Sequence, residues 1–130
     1  MKSSQNMQTP MARVKGLGSA KSGTEHFWHQ RLTAIANVPL TLAFITIVVC
    51  LIGKSHADAM IFLAKPHVSI IMMLFVAIGL IHMRLGMQVI IEDYVHGEGL
   101  KIVAVIANTF FAFGVGAVSL YALLKISFGA

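Results

Sequence analysis

The sequence predicts an all-α membrane protein of three transmembrane helices, and three observations carry that prediction. Of its 130 residues 57% are hydrophobic and only 12% are charged, against about 25% charged in soluble domains. Three apolar runs are long enough to cross a hydrocarbon core, which takes about 20 helical residues. The basic residues gather unequally around those runs. Inside lipid each span must hydrogen-bond its own backbone, which excludes open strands.

Taken in order, the first 24 residues contain no acid and no apolar core of a cleavable secretory signal. They are expected to form a flexible cytoplasmic arm, residues 1–24, ahead of a three-helix membrane domain, residues 25–130. The first span, about 31–53, includes 22 uncharged residues from Leu32 to Gly53. Its Thr33, Asn37 and Thr41 recur at steps of four and so share one face, and such polar stripes in lipid usually meet another helix. Pro39 in the same span should kink it or free a carbonyl. Cys50, the single cysteine, excludes an internal disulfide and a cysteine metal cluster and reads as lipid- or core-facing filler.

The interior of the second span, about 66–91, is broken only by His82 and Arg84. The third, about 102–124, has 23 uncharged residues from Ile102 to Leu124. Its Ala104, Asn108, Ala112 and Gly116 form a small-residue stripe of the kind that lets helix backbones approach closely. Loops of roughly a dozen residues are expected between spans, within the usual range of connection lengths, and no soluble catalytic domain fits in what remains. So thin a bundle is expected to pack against other membrane subunits.

Lys2, Arg13, Lys15, Lys21, Arg31, Arg84 and Lys101 fall on one side of the spans, against Lys54, Lys65 and Lys125 on the other. The positive-inside rule then places the N-terminus in the cytoplasm and the C-terminus outside. The net charge of +5 is a topology signal, and nothing points to nucleic acid.

Chemistry concentrates in the second span, which ends HMRLGMQVIIEDYVHGEG over residues 82–99. Ionisable residues within spans are rare and often functional. An imidazole here could be a haem axial ligand, a proton relay, or a hydrogen-bonding partner of a neighbouring helix. Gly79 and Gly86 lie three residues before and four after His82, on its face, and favour haem by clearing space for a flat ring. With no Cys-x-x-Cys-His motif, such a haem would be held non-covalently, as b type. Further along, Asp93 and Tyr94 read either as an interfacial pair or as a quinone site. A phenol stays protonated near neutral pH and can donate to a quinone carbonyl, while a carboxylate assists the two protons that reduction consumes. Arg84 is expected to snorkel towards the cytoplasm or to meet an acid or a propionate. His26, His29, His56, His67 and His96 lie at span ends or in loops and read as solvated or interfacial.

These residues carry a resemblance. His82-Met83-Arg84-Leu85-Gly86, Gln88-Val89 and Asp93-Tyr94-Val95-His96-Gly97 resemble the smaller hydrophobic membrane anchor of succinate dehydrogenase, respiratory complex II. His26-Phe27-Trp28 and Arg31-Leu32-Thr33-Ala34-Ile35 resemble the start of that family's first helix, and the likeness covers about residues 22 to 125. It implies that His82 is an axial ligand of haem b and that Tyr94 donates to the carbonyl of ubiquinone. It further implies that Asp93 lies beside that site and that Arg31 lies near the haem propionates. Implied partners are a larger haem-binding anchor subunit, which supplies the second ligand and much of the quinone pocket, an iron–sulfur subunit and a flavoprotein. The chain would be non-catalytic alone, in a bacterial inner membrane or, in a eukaryote, the mitochondrial inner membrane. Its expected function is to anchor the complex, bind haem b with its partner and line the ubiquinone-reduction site. Two alternatives stand beside it: a haem-free anchor of the same complex, and a small proton or solute transporter using His82 and Asp93.

Overall fold

The computed structural model describes residues 9–15 and 23–129. Most of the expected N-terminal arm therefore lies outside the described residues. Within it, α1 (Pro10–Val14) is a short helix whose first residue is proline, with φ already set for a helix.

Three long helices follow. Helix α2 (Gly23–Leu51) has 29 residues and runs unbroken through Pro39. Helix α4 (Pro66–Tyr94) has 29 residues and starts on a proline, and α5 (Glu98–Phe128) has 31. At 1.5 Å per residue they measure about 43 to 46 Å, more than the roughly 30 Å of hydrocarbon they must cross. All three are long and apolar enough to cross a membrane, and each begins or ends outside the apolar run that announced it.

The connections depart from the expected dozen-residue loops. Between α2 and α4 the chain turns at Gly53, with φ +76°, a left-handed conformation that costs glycine little. It then forms α3 (His56–Leu63). Ser55 starts that helix: its Oγ accepts from the Asp58 N–H at 3.2 Å and donates to Asp58 Oδ2 at 2.6 Å. This Ser-x-x-Asp cap is the local reason that the segment is helical. Between α4 and α5 only residues 95–97 intervene.

Helix α4 is the middle helix, in contact with α2 on one side and α5 on the other. Towards α2, the Phe44 and Phe75 rings stack at 4.4 Å. Towards α5, the small-residue stripe does what its composition predicts. Ala112 is buried, and a Cβ on Gly116 would stand 3.2 Å from Leu80 Cδ1. Asn108 Nδ2 donates to the Arg84 carbonyl at 2.9 Å, and Ser69 and Ser127 share a hydroxyl–hydroxyl bond. Among the described residues only Ile47, Val68, Ser69, Leu85 and Ala112 are buried. Most large apolar side chains, and Cys50, face outward. Lipid tails are as apolar as leucine, so such helices cohere by close packing and hydrogen bonds rather than by hiding apolar area.

Candidate functional site

The site is a cleft between the first turns of α2 and the second half of α4. On α2 the residues His26, Gln30, Thr33 and Asn37 follow one another at steps of four, three and four, one helix face. That face looks onto His82, Gly86 and Gly79 of α4. Thr33 Oγ1 donates to its own helix, with His29 O at 2.7 Å and Gln30 O at 3.1 Å. With its single proton on either carbonyl, the hydroxyl can accept from His82 Nδ1, 3.0 Å away. In that arrangement His82 Nδ1 donates to Thr33, and Nε2 bonds no protein group among the described residues.

The cleft has a volume of about 500 Å³ and is lined by His26, Phe27, Gln30, Arg31, Ala34, His82 and Val89. The Arg31 guanidinium lies over the Phe27 ring, 4.6 Å from its centroid. His26 Nε2 and Gln30 Oε1 are buried without a hydrogen-bond partner, as is Asn37 Oδ1, about two turns beyond Gln30. A buried polar atom left unpaired costs about 1–3 kcal/mol, so these atoms mark the cleft as a place for a further polar group.

Of the expected site residues, the fold brings His82 and Arg31 together in this cleft. Asp93 and Tyr94 stand apart, exposed at the end of α4, with Tyr94 77% accessible and about 18 Å along the helix from His82. The fold adds detail to three sequence expectations. Gly86 faces α2 and lets it approach, since the Cβ of an alanine there would stand 3.2 Å from Gln30 Nε2, while at Gly79 a Cβ would make only an ordinary contact, 4.0 Å from Asn37 Oδ1. His26 is not solvated: it is half-buried with its Nε2 inside the cleft, as the spacing of His26, Gln30 and Thr33 on one face could have signalled. Arg84 is exposed and meets no acid among the described residues. Its Nε donates to Thr109 Oγ1 of α5 at 3.3 Å. Of the polar stripe on α2, Thr41 faces outward while Thr33 and Asn37 turn to α4.

Comparison with known proteins agrees with this architecture. Residues 5–116 match the family model of the succinate dehydrogenase/fumarate reductase transmembrane subunit. The chain belongs to that family. It is similar to the succinate dehydrogenase hydrophobic membrane anchor subunit of Paracoccus denitrificans, 35% identical over 94% of each chain. It is also similar to the membrane anchor subunit of Reclinomonas americana, 43% identical over 65% of this chain and 73% of that one. The anchor subunit of Rickettsia bellii (strain RML369-C) is 33% identical over 82% of this chain and 86% of its own. No solved structure matches. As a succinate dehydrogenase membrane anchor, the chain is an integral membrane subunit of a larger complex rather than a catalytic unit by itself.

Proposed function

We propose that this anchor binds haem b through His82, together with a partner anchor subunit, and lines the ubiquinone-reduction site with Tyr94. The observation that carries the reading is the Thr33–His82 hydrogen bond. A histidine that ligates iron through one ring nitrogen commonly donates from the other to a fixed acceptor, which sets its tautomer and orientation. Thr33 provides that acceptor, Nε2 is the free donor atom, and Arg31 in the same cleft suits a propionate, because guanidinium pairs well with carboxylates. The residues fit the group as one half of its coordination. The partner subunit would supply the other ligand. When bound, the haem supplies a one-electron acceptor beside the quinone path.

The chain's own residues do the rest. Thr33 holds the imidazole, Arg31 balances negative charge at the cleft, and the unpaired His26 Nε2 is available to a further polar group there. Tyr94, exposed at the end of α4, donates its hydroxyl to a quinone carbonyl once the soluble subunits cover it. Asp93 beside it holds water for the protons. The N-terminus and the 95–97 link are cytoplasmic, where the flavoprotein and iron–sulfur subunits dock, and the C-terminus is outside, in a bacterial or mitochondrial inner membrane.

The Thr33 contact also suits a haem-free anchor in which His82 merely joins two helices, and a spectrum separates the two. In the complex purified in detergent through this chain, succinate-reduced minus oxidised absorption is expected to show a b-type band that His82→Leu weakens or removes. An unchanged band in the variant overturns His82 as an essential ligand. A complex with flavin and iron–sulfur subunits but no band overturns the haem reading and keeps the anchor. The family match stands against the transporter alternative, as does the roughly 16 Å along α4 between His82 and Asp93.

A further inference from the structure

A second cavity lies on the other side of α4. It has a volume of about 360 Å³ between α4 and α5, and Ala77, Ile81, Ala112, Gly116 and Leu120 are among its walls. Arg84 and Thr109 stand at one end of it. Arg84 is about 200° around the helix from His82, so this groove is separate from the cleft that holds the imidazole.

The guanidinium at its mouth is oriented and incompletely used. Thr109 Oγ1 donates to the Val105 carbonyl at 3.0 Å and therefore accepts from Arg84 Nε at 3.3 Å. That contact fixes the plane of the guanidinium. Its two Nη groups have no protein acceptor among the described residues, and Arg84 is exposed. A guanidinium fork in this position suits bidentate pairing with an anion of phosphate or carboxylate geometry.

We propose that the α4–α5 groove binds an anionic phospholipid, with the phosphate on Arg84 and one acyl chain along the small-residue walls. Charge complementarity selects the head, and dimensions select the tail. From Thr109 to Leu120 the groove runs about 16 Å along α5, close to the depth of one leaflet, half of about 30 Å. It runs from the arginine into the membrane, because Ala77 and Leu120 lie on the far side of Arg84 and Thr109 from the 95–97 link. The Thr33–His82 bond puts Arg84 level with Arg31, where the uncharged run of α2 begins, so its long side chain reaches the headgroups. A volume of about 360 Å³ over that length matches the narrow section of an acyl chain.

The test uses the assembled complex in phosphatidylcholine discs carrying a trace of spin-labelled phosphatidylglycerol or spin-labelled phosphatidylcholine. The native complex is expected to immobilise more of the anionic label than of the zwitterionic one. Arg84→Gln is expected to weaken that preference about tenfold, the factor expected when one charge-assisted pair is lost. Ala117→Leu, which fills the groove and keeps the arginine, is expected to abolish the immobilised fraction at this site. Equal immobilisation of the two labels by the native complex overturns the proposal, a result that needs no variant to fold. If Arg84→Gln instead releases a membrane subunit and leaves the lipid signal unchanged, the guanidinium serves a carboxylate of that subunit, and the lipid site is overturned. Each outcome is read without reference to haem or quinone.

Discussion

At the scale of single residues, the Thr33 hydroxyl is the smallest group on which the proposed site depends. Its proton closes on its own helix and its lone pair receives His82 Nδ1. Thr33→Val keeps the shape and removes the acceptor, and loss of such a supporting contact commonly costs about 10–100-fold in ligand-site affinity. The b-type band of the purified complex is therefore expected to be weakened in Thr33→Val and retained in Thr33→Ser, as judged by haem per flavin. Tyr94 makes a separate prediction, because it lies about 18 Å along α4 from the imidazole. Tyr94→Phe is expected to impair succinate-driven quinone reduction while leaving reduction of a soluble dye by the flavoprotein side largely intact; equal loss of both rates would remove Tyr94 from the quinone site. The sequence singles out His82 as a candidate because ionisable groups inside an apolar run are rare, and it offers Asp93 and Tyr94 as candidates at the end of that run. It did not reveal the partner of His82. That pairing spans 49 positions and depends on how two helices are rotated against each other, which no local pattern states.

At the scale of elements, glycines record how α4 packs on both neighbours, with a Cβ at Gly86 standing 3.2 Å from Gln30 Nε2 of α2, as tight as the α5 contact. On the α2 side, a Cβ at Gly79 would find only Asn37 Oδ1 at 4.0 Å, an ordinary contact. On the α5 side, a Cβ at Gly116 would already press Leu80 Cδ1 at 3.2 Å, and a longer side chain must displace that leucine. Overpacking of this kind typically costs about 1–3 kcal/mol. Gly116→Ile is thus expected to lower the thermal stability of the detergent-solubilised complex by that order, and Gly79→Ala to leave it nearly unchanged, as followed by loss of assembled complex on heating. The stripe of Ala104, Asn108, Ala112 and Gly116 disclosed the α5 interface from sequence, because small residues at steps of four have a direct physical meaning in lipid. The α3 helix was not foreseen. Its signal is the Ser55–Asp58 cap, four residues long and easily lost between two spans.

At the scale of the whole molecule, three helices with few buried side chains make sense only in a bilayer and beside other subunits. An odd number of spans puts the two chain ends on opposite sides. A phosphatase that folds only outside the cytoplasm, fused after Phe128, is expected to be active, and the same enzyme fused within the 95–97 link inactive; the reverse pattern would invert the proposed orientation. The Thr33 hydroxyl also bears on how the bundle is made. The chain leaves the ribosome from its N-terminus, so α2 enters the membrane while His82, 49 residues behind, is still being synthesised. At about 5–20 residues per second the interval is roughly 2 to 10 seconds. Throughout that wait Thr33 is already satisfied by the carbonyls of its own helix. The first helix therefore carries a finished acceptor into the bilayer, and the histidine meets it on arrival.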